Sequence, residues 1–365
     1  MVATTYRVGV IGTSWAARSP LPTLESYPGV EIAAICSGRL ERAREACDRF
    51  GAPIALDDYR ELVAMPDVDI VYVGSPVALH DPMAIAAAEA GKHLLLEKPL
   101  SLDAARGQAM LDAATRAGVS HIVAFTMRHF ATHILVRTLI DDGVIGEPRH
   151  LAISHFGGSA VGSPPRGWSW WSDRDQGGGL LGAMGSHYVD LARYWLGDFA
   201  EVSGSLRTWH RTAADGEGRV REVTSDDGFA LVGSMRSGAE VTLHMSFAVR
   251  PGPPRRVELY GEQGSVVIEG DELAAGGARV LLTRPGESAP SEIDVPPLRL
   301  GDAARGSAVP RFGLMIEKLL RAIEGGERPS PDIAEALRCQ EVLDAVRRSS
   351  VEGGSIRLPD AAPTV

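Results

Sequence analysis

"LLLEKPLSLD", residues 94–103, decides how the first third of this chain is read. Three leucines run into a glutamate, a lysine and a proline, and helix-forming residues follow. A short apolar run of this kind is a buried strand, and Pro99 pushes Lys98 out of helical geometry, so the strand ends at the charged pair. Lysine is rarely buried without a partner, so a Glu-Lys pair at a buried strand end marks either an ion pair or a site.

Working outward, "YRVGVIG" (6–12), "VEIAAIC" (30–36), "DIVYVG" (69–74), "HLLLE" (93–97) and "SHIVAFT" (120–126) are five such runs. Helical patterns separate them. In "RLERAREACDRFG" (39–51), Leu40, Ala43, Cys47 and Phe50 share one face and Gly51 closes the helix. In "HDPMAIAAAEAG" (80–91), Asp81 is the expected N-cap, Pro82 the first helical residue and Gly91 the terminator; Ser101 is the expected cap of the next helix, which runs to Gly118. Strand–helix alternation at this spacing predicts parallel strands with right-handed crossovers, a doubly wound sheet whose ligands sit beyond the carboxyl ends of its strands.

The rhythm changes near residue 126. "RHLAISHF", "EVSGSLRTWH", "DGFALVGSMR" and "AEVTLHMSFA" are longer strands. In the last, Val241, Leu243, Met245 and Phe247 alternate with Thr242, His244, Ser246 and Ala248, the period of a sheet with one packed face. "SMRSGAEV" and "LYGEQGSVVI" predict hairpins. Residues 284–308 read as loop, helices are expected over 310–324 and 332–349, and "DAAPTV" is expected to be a disordered tail. The expected domains are a dinucleotide-binding unit over 1–126 and an α+β unit for substrate and oligomerisation over 127–355, whose last helix can return to the first unit; 356–365 is a tail.

The whole chain has 365 residues, 44% hydrophobic and 23% charged, with a formal charge of −10. That length exceeds one ordinary core, and that charge opposes binding to nucleic acid or anionic membrane. Cys36, Cys47 and Cys339 form no CxxC and cannot all pair, which suits a reducing cytoplasm. No apolar run approaches a membrane span and the start carries no secretory signal pattern. Cytoplasmic location is the expectation.

The first strand ends in "GVIGTSWAAR" (9–18). Against the pattern G-x-G-x-x-G, only Gly12 is glycine; Ser14 and Ala17 fill the other positions, and Thr13, Ser14 and Trp15 make the phosphate loop. The second strand ends in "CSGRLER" (36–42), with no acid before Glu41 to accept from a ribose 2′-hydroxyl. Ser37 and Arg39, with Arg42 nearby, suit a 2′-phosphate, so NADP is favoured over NAD; the competing reading makes both arginines a solvated helix face.

"GVIGTSWAAR", "SPVALH" (75–80), "AGKHLLLEKP" (90–99), "GGGLLGAMGSHYVDLARYWLG" (177–197) and "RCQEVLDAVRRSSVEG" (338–353) together resemble the Gfo/Idh/MocA family of NAD(P)-dependent oxidoreductases, over nearly the whole chain. The resemblance implies a Rossmann domain followed by a mixed, largely antiparallel sheet with helices on one side and an open face for subunit contacts, hence a homo-oligomer, dimer or tetramer. It implies that Lys98 faces the domain cleft near nicotinamide and hydrogen-bonds the substrate oxygen, that Glu97 holds or neutralises it, and that Pro99 fixes the turn, with Lys98–Pro99 a candidate cis bond. His80 matches a histidine near the cofactor, and Ser75 and Pro76 border the nicotinamide. The competing reading is an ion pair at a domain seam.

Where many members carry D-x-G-x-H, this chain reads Ala183-Met184-Gly185-Ser186-His187, so the histidine is kept and the aspartate is absent. An imidazole titrates near neutrality and can take and return a proton, although a satisfied core histidine remains the competing reading. Asp190 lies one turn along and is assigned a structural role. Trp168, Trp170 and Trp171, with Arg166 and Arg174 in "GSPPRGWSWWSDRDQ" (162–176), suit either a sugar wall or a packed loop. Arg128 matches a domain-junction arginine. His129 and His133 are spaced i, i+4, but no third ligand pattern accompanies them, so no metal is expected.

The resemblance thus implies hydride transfer between NADP(H) or NAD(H) and a secondary alcohol or ketone of a sugar, polyol or related cyclic compound, with Lys98 and His187 catalytic. The rivals are a glycosidase or lyase using NAD transiently, and a non-catalytic dinucleotide-binding regulator.

Overall fold

A computed structural model describes residues 5–158, 166–250, 254–273 and 277–360. They divide into two compact units. The first comprises the described residues up to Thr126 with Arg299–Leu337; the second comprises those of Met127–Leu298 and from Arg338 onward.

The first unit is built on six parallel strands: β1 (Tyr6–Ile11), β2 (Val30–Cys36), β3 (Ala55–Leu56), β4 (Ile70–Val73), β5 (His93–Leu96) and β6 (His121–Val123). Their order is β3-β2-β1-β4-β5-β6, so the chain reverses direction across the sheet between β1 and β4. Val8, Val10, Ile35, Ile70, Tyr72, Leu95 and Ile122 form the core of this sheet. Helices α1 (Pro20–Ser26), α2 (Leu40–Phe50), α3 (Tyr59–Val63), α4 (His80–Glu89) and α5 (Ala104–Ala117) are the crossovers. On α2, Ala43, Cys47 and Phe50 are buried, and Gly51 takes φ 69° to end it.

Two caps differ from expectation. A 3-10 turn (Val77–Leu79) precedes α4, which begins at His80, so Asp81 lies in the first turn; Pro82 is tolerated because first-turn N–H groups lack helical partners anyway. Asp103, not Ser101, caps α5 by accepting from Arg106 N–H at 2.9 Å, while the Ser101 hydroxyl donates to the Asp103 carbonyl at 2.7 Å.

Residues 299–337 supply α8 (Asp302–Gly306) and α9 (Pro310–Ile323) to this unit. Phe312, Met315, Ile316 and Leu319 bury one stripe of α9 in the sheet's core, and Phe312 meets Tyr72 edge-on with ring centroids 6.4 Å apart. The expected loop over 284–308 therefore contains α8, and also a short strand.

Among its described residues the second unit centres on nine strands in the order β16-β15-β14-β13-β7-β12-β11-β8-β17, mixed and largely antiparallel, with only β7 and β12 paired in parallel. The strands are β7 (Pro148–Phe156), β8 (Phe199–Arg207), β11 (Gly228–Met235), β12 (Glu240–Ser246), β13 (Arg256–Gly261), β14 (Ser265–Gly270), β15 (Ala278–Thr283), β16 (Ser291–Ile293) and β17 (Ile356–Arg357). A separate ribbon pairs β9 (Thr212–Ala214) with β10 (Val220–Glu222). On β12, Val241, Leu243 and Met245 are buried and Thr242 and His244 exposed; the alternation stops at Ser246, which is also buried. Helices α6 (Ala131–Asp141), α7 (Ser186–Leu196) and α10 (Ile333–Glu352) complete the chain. The tail residues 361–365 lie outside the described residues. All three cysteines are free and buried.

Candidate active site: a nucleotide loop, the Glu97–Lys98 pair and the His187 turn

In a parallel sheet the residues after each strand fall on one edge, so Gly12, Ser37, Gly74 and Glu97 emerge together. Gly12 has φ 97°, and a β-carbon there would sit 2.4 Å from the Gly74 carbonyl oxygen, a close approach that only glycine permits. This cradle fits a dinucleotide: Ser14 is exposed, Trp15 is 50% exposed, and Ala16–Arg18 form a single 3-10 turn before α1. The helix therefore starts at Pro20, later than the glycine motif suggests. The Thr13 hydroxyl donates to that of Ser37 at 3.4 Å, bringing the tips of β1 and β2 together, and Arg39 is exposed at the extended N-cap of α2.

The charged pair at the end of β5 has a physical explanation. Glu97 is buried after β5 and accepts from the Tyr72 hydroxyl at 3.1 Å and from the Trp15 indole. Burial raises its pKa, opposed by the Lys98 ammonium and then by these donors. Burial lowers the Lys98 pKa, and Glu97 resists that shift. The pair therefore holds a cation at a strand edge where an ammonium alone would tend to lose its proton. The Lys98–Pro99 bond is cis.

His80 is 2% exposed, and its ring spans Ser75 C=O (Nε2, 2.9 Å) and the Pro99 and Leu100 carbonyls (Nδ1, 3.1 and 3.3 Å). Burial favours the neutral ring although the carbonyls favour the charged one. His80 thus ties the Ser75–Pro76 turn to the residues after Lys98. Its place is beneath this edge, as a tether.

In the second unit, Gly177 and Gly179 adopt positive φ, and a β-carbon on Gly178 would lie 2.2 Å from the Trp171 carbonyl. The chain then makes a π-helical turn, Leu181–Gly185, that passes directly into α7, with buried His187 at its second position. Asp190 is fully committed: Arg128 grips it in a fork, Nη2 at 2.6 Å and Nε at 2.7 Å, both side chains being at most 5% exposed. Arg128 also lies under the Tyr194 ring, so its placement is that of a brace for α7. Ala183 offers no carboxylate.

Arg166 stacks on Trp171 at 4.0 Å and Arg221 on Trp168 at 3.5 Å, while Trp170 remains 37% exposed. Residues 162–165 of that predicted loop fall outside the described residues. His133 is buried, with Nδ1 against Met127 C=O at 2.8 Å and Nε2 3.4 Å from Glu272. Among the described residues no three His, Cys, Asp or Glu side chains converge as metal ligands. The sequence reading missed Asp226, which accepts from Leu181 N–H at 2.7 Å; a 45-residue separation leaves no local pattern to find it by.

A parallel sheet of this order, with a glycine cradle at its reversal point and a lysine on the same edge, defines an NAD(P)-dependent oxidoreductase. Residues 6–125 match the model "Oxidoreductase family, NAD-binding Rossmann fold" and residues 133–267 match "GFO/IDH/MocA C-terminal domain"; the chain belongs to the Gfo/Idh/MocA family.

A dTDP-3,4-didehydro-2,6-dideoxy-alpha-D-glucose 3-reductase of Streptomyces violaceoruber is 32% identical over 94% of this chain and 95% of its own. A levoglucosan dehydrogenase of Pseudarthrobacter phenanthrenivorans is 28% identical, covering 89% of each. The solved structure of a levoglucosan dehydrogenase with NADH and L-sorbose has a TM-score of 0.85 and 25% identity, covering 97% of this chain and 99% of that one.

Proposed function

We propose that this enzyme interconverts a secondary alcohol and a ketone on a sugar, polyol or related cyclic compound, using NADP(H) in preference to NAD(H). The pairing of buried Glu97 with Lys98 carries this reading, because it keeps a cation on the nucleotide edge of the sheet. Sugar substrates are supported by the activities of the relatives above. A bound nicotinamide supplies the hydride donor or acceptor. In oxidation Lys98 holds the substrate oxygen and stabilises its developing negative charge, while His187 takes the hydroxyl proton; in reduction His187 returns it. Trp170 offers an exposed flat ring to a sugar face, beside the Trp171 ring on which Arg166 stacks.

The NADP preference rests on Ser37 and exposed Arg39, with no acid at the end of β2. Fluorescence titration with NADPH and NADH, followed by a sugar and polyol screen read by nicotinamide absorbance, tests both parts. Arg39→Ala should weaken NADPH binding at least tenfold and leave NADH unchanged; tighter NADH binding by the wild type would overturn the preference.

Three free, buried cysteines and the negative charge support a cytoplasmic setting. No helix of the described residues is long and apolar enough to cross a membrane. Val232 and Tyr260, on β11 and β13, are 53% and 40% exposed, which supports a homo-oligomer formed through the sheet of the second unit.

A further inference from the structure

The turn that delivers His187 carries no acid of its own. From Gly177 to Val189 the chain reads GGGLLGAMGSHYV, and Asp190 is gripped by Arg128. Its carboxylate contact comes from another strand end. Asp226, two residues before β11, accepts from Leu181 N–H through Oδ2 at 2.7 Å, and its backbone carbonyl accepts from Leu180 N–H at 2.9 Å. Its other oxygen fills the space over Gly179, where a β-carbon would come within 2.2 Å of Oδ1 and where φ is 114°. The same segment reaches the aromatic loop: Ser225 Oγ donates to Trp171 C=O at 2.9 Å and Thr224 N–H to Ser172 C=O at 3.0 Å.

We infer that Asp226 is a positioning residue for the proposed reaction: its carboxylate clasps the start of the π turn and fixes the helix that presents His187. The inference rests on the proposed role of His187. A carboxylate at the start of a helical turn accepts otherwise unpaired N–H groups and favours the positive end of the dipole. Burial raises the Asp226 pKa to about 6 against the Leu181 N–H bond and the Arg347 charge, so the clasp changes state within an accessible pH range. Of the charged groups around it, Arg347 on α10 is bonded to Asp344, and neighbouring Asp227 is engaged by the Trp209 and His210 N–H groups.

The reductive direction separates Asp226 from His187. There His187 works as the imidazolium, so acidification does not disable it, and a loss of kcat below about pH 6 reads Asp226. Asp226→Asn keeps an acceptor oxygen but, like the protonated acid, is neutral at every pH; it should show at neutral pH the lowered kcat that the wild type reaches below about pH 6, with no acid limb. Asp226→Ala should lower kcat by about 10²-fold, the scale of a misplaced catalytic group, with the NADPH dissociation constant unchanged. His187→Asn is the control. If that control keeps wild-type turnover, the proposed chemistry itself falls. If it is inactive while Asp226→Ala keeps wild-type kcat, or Asp226→Asn keeps the acid limb, the positioning role alone is overturned. Should Asp226→Ala fail to fold, the acid limb of Asp226→Asn decides.

Discussion

Replacing Glu97 by glutamine tests the electrostatics of the nucleotide edge. The amide keeps the size of the side chain and an oxygen to accept from the Tyr72 hydroxyl, now 3.1 Å from Oε1, but it removes the charge facing Lys98. Breaking a buried ion pair by removing one partner costs about 3–5 kcal/mol, and the lower end applies because Lys98 is partly exposed. A loss of about 3 kcal/mol corresponds to a melting temperature lower by roughly 6–12 °C for a unit of this size. The remaining route is for Lys98 to shed its proton. Burial already lowers its pKa and Glu97 opposes that, so the variant's pKa is lower still. Activity that needs the ammonium disappears as pH rises through this pKa, so the basic limb of kcat moves to lower pH. Thermal melts, a pH–rate profile and an NADPH titration form the assay. A variant with the wild-type melting temperature and an unmoved basic limb would refute the pairing.

Arg128→Met should destabilise the protein by about 3–5 kcal/mol, because Asp190 is then left buried without its fork; unchanged urea unfolding would contradict the brace assigned to Arg128. His133 is held neutral by burial, its pKa lowered to about 4 from 6.5, so the unfolded chain binds the proton first as pH falls. Stability from this group is full above pH 6.5 and is lost toward pH 4. Asp226 acts in the opposite sense as its raised pKa is crossed, so the comparison must be with a variant: the wild type should lose about 2 kcal/mol more between pH 7 and pH 5 than His133→Gln does, measured by urea unfolding.

Much of this architecture is written locally. The five apolar runs from "YRVGVIG" to "SHIVAFT" fold as β1, β2, β4, β5 and β6, because a strand buried on both faces needs nothing beyond its own run of apolar residues. The two-residue β3 is too short to leave such a signal. The alternation over Val241–Met245 announces a half-buried sheet for the same local reason. Cap choices were less legible: both Ser101 and Asp103 suit an N-cap, and the carboxylate takes the position while the serine turns to its carbonyl. What sequence does not carry is partnership at a distance. Glu97 meets Tyr72 because β4 and β5 are neighbours, α9 joins the first sheet from nearly two hundred residues beyond it, and Asp226 finds Leu181 through tertiary packing. The π turn at Leu181–Gly185 has no pattern that distinguishes it from a glycine-rich loop.

The claim on which the account turns is that Lys98 and His187 serve one and the same chemical step. A double-mutant cycle on kcat, using Lys98→Ala, His187→Asn and the pair, measures it directly. The account predicts that each single change removes nearly all turnover with NADPH still bound, and that the double variant is scarcely slower than the worse single one, as for residues that act as a unit. Losses that simply multiply, or a single variant that turns over like the wild type, would contradict it.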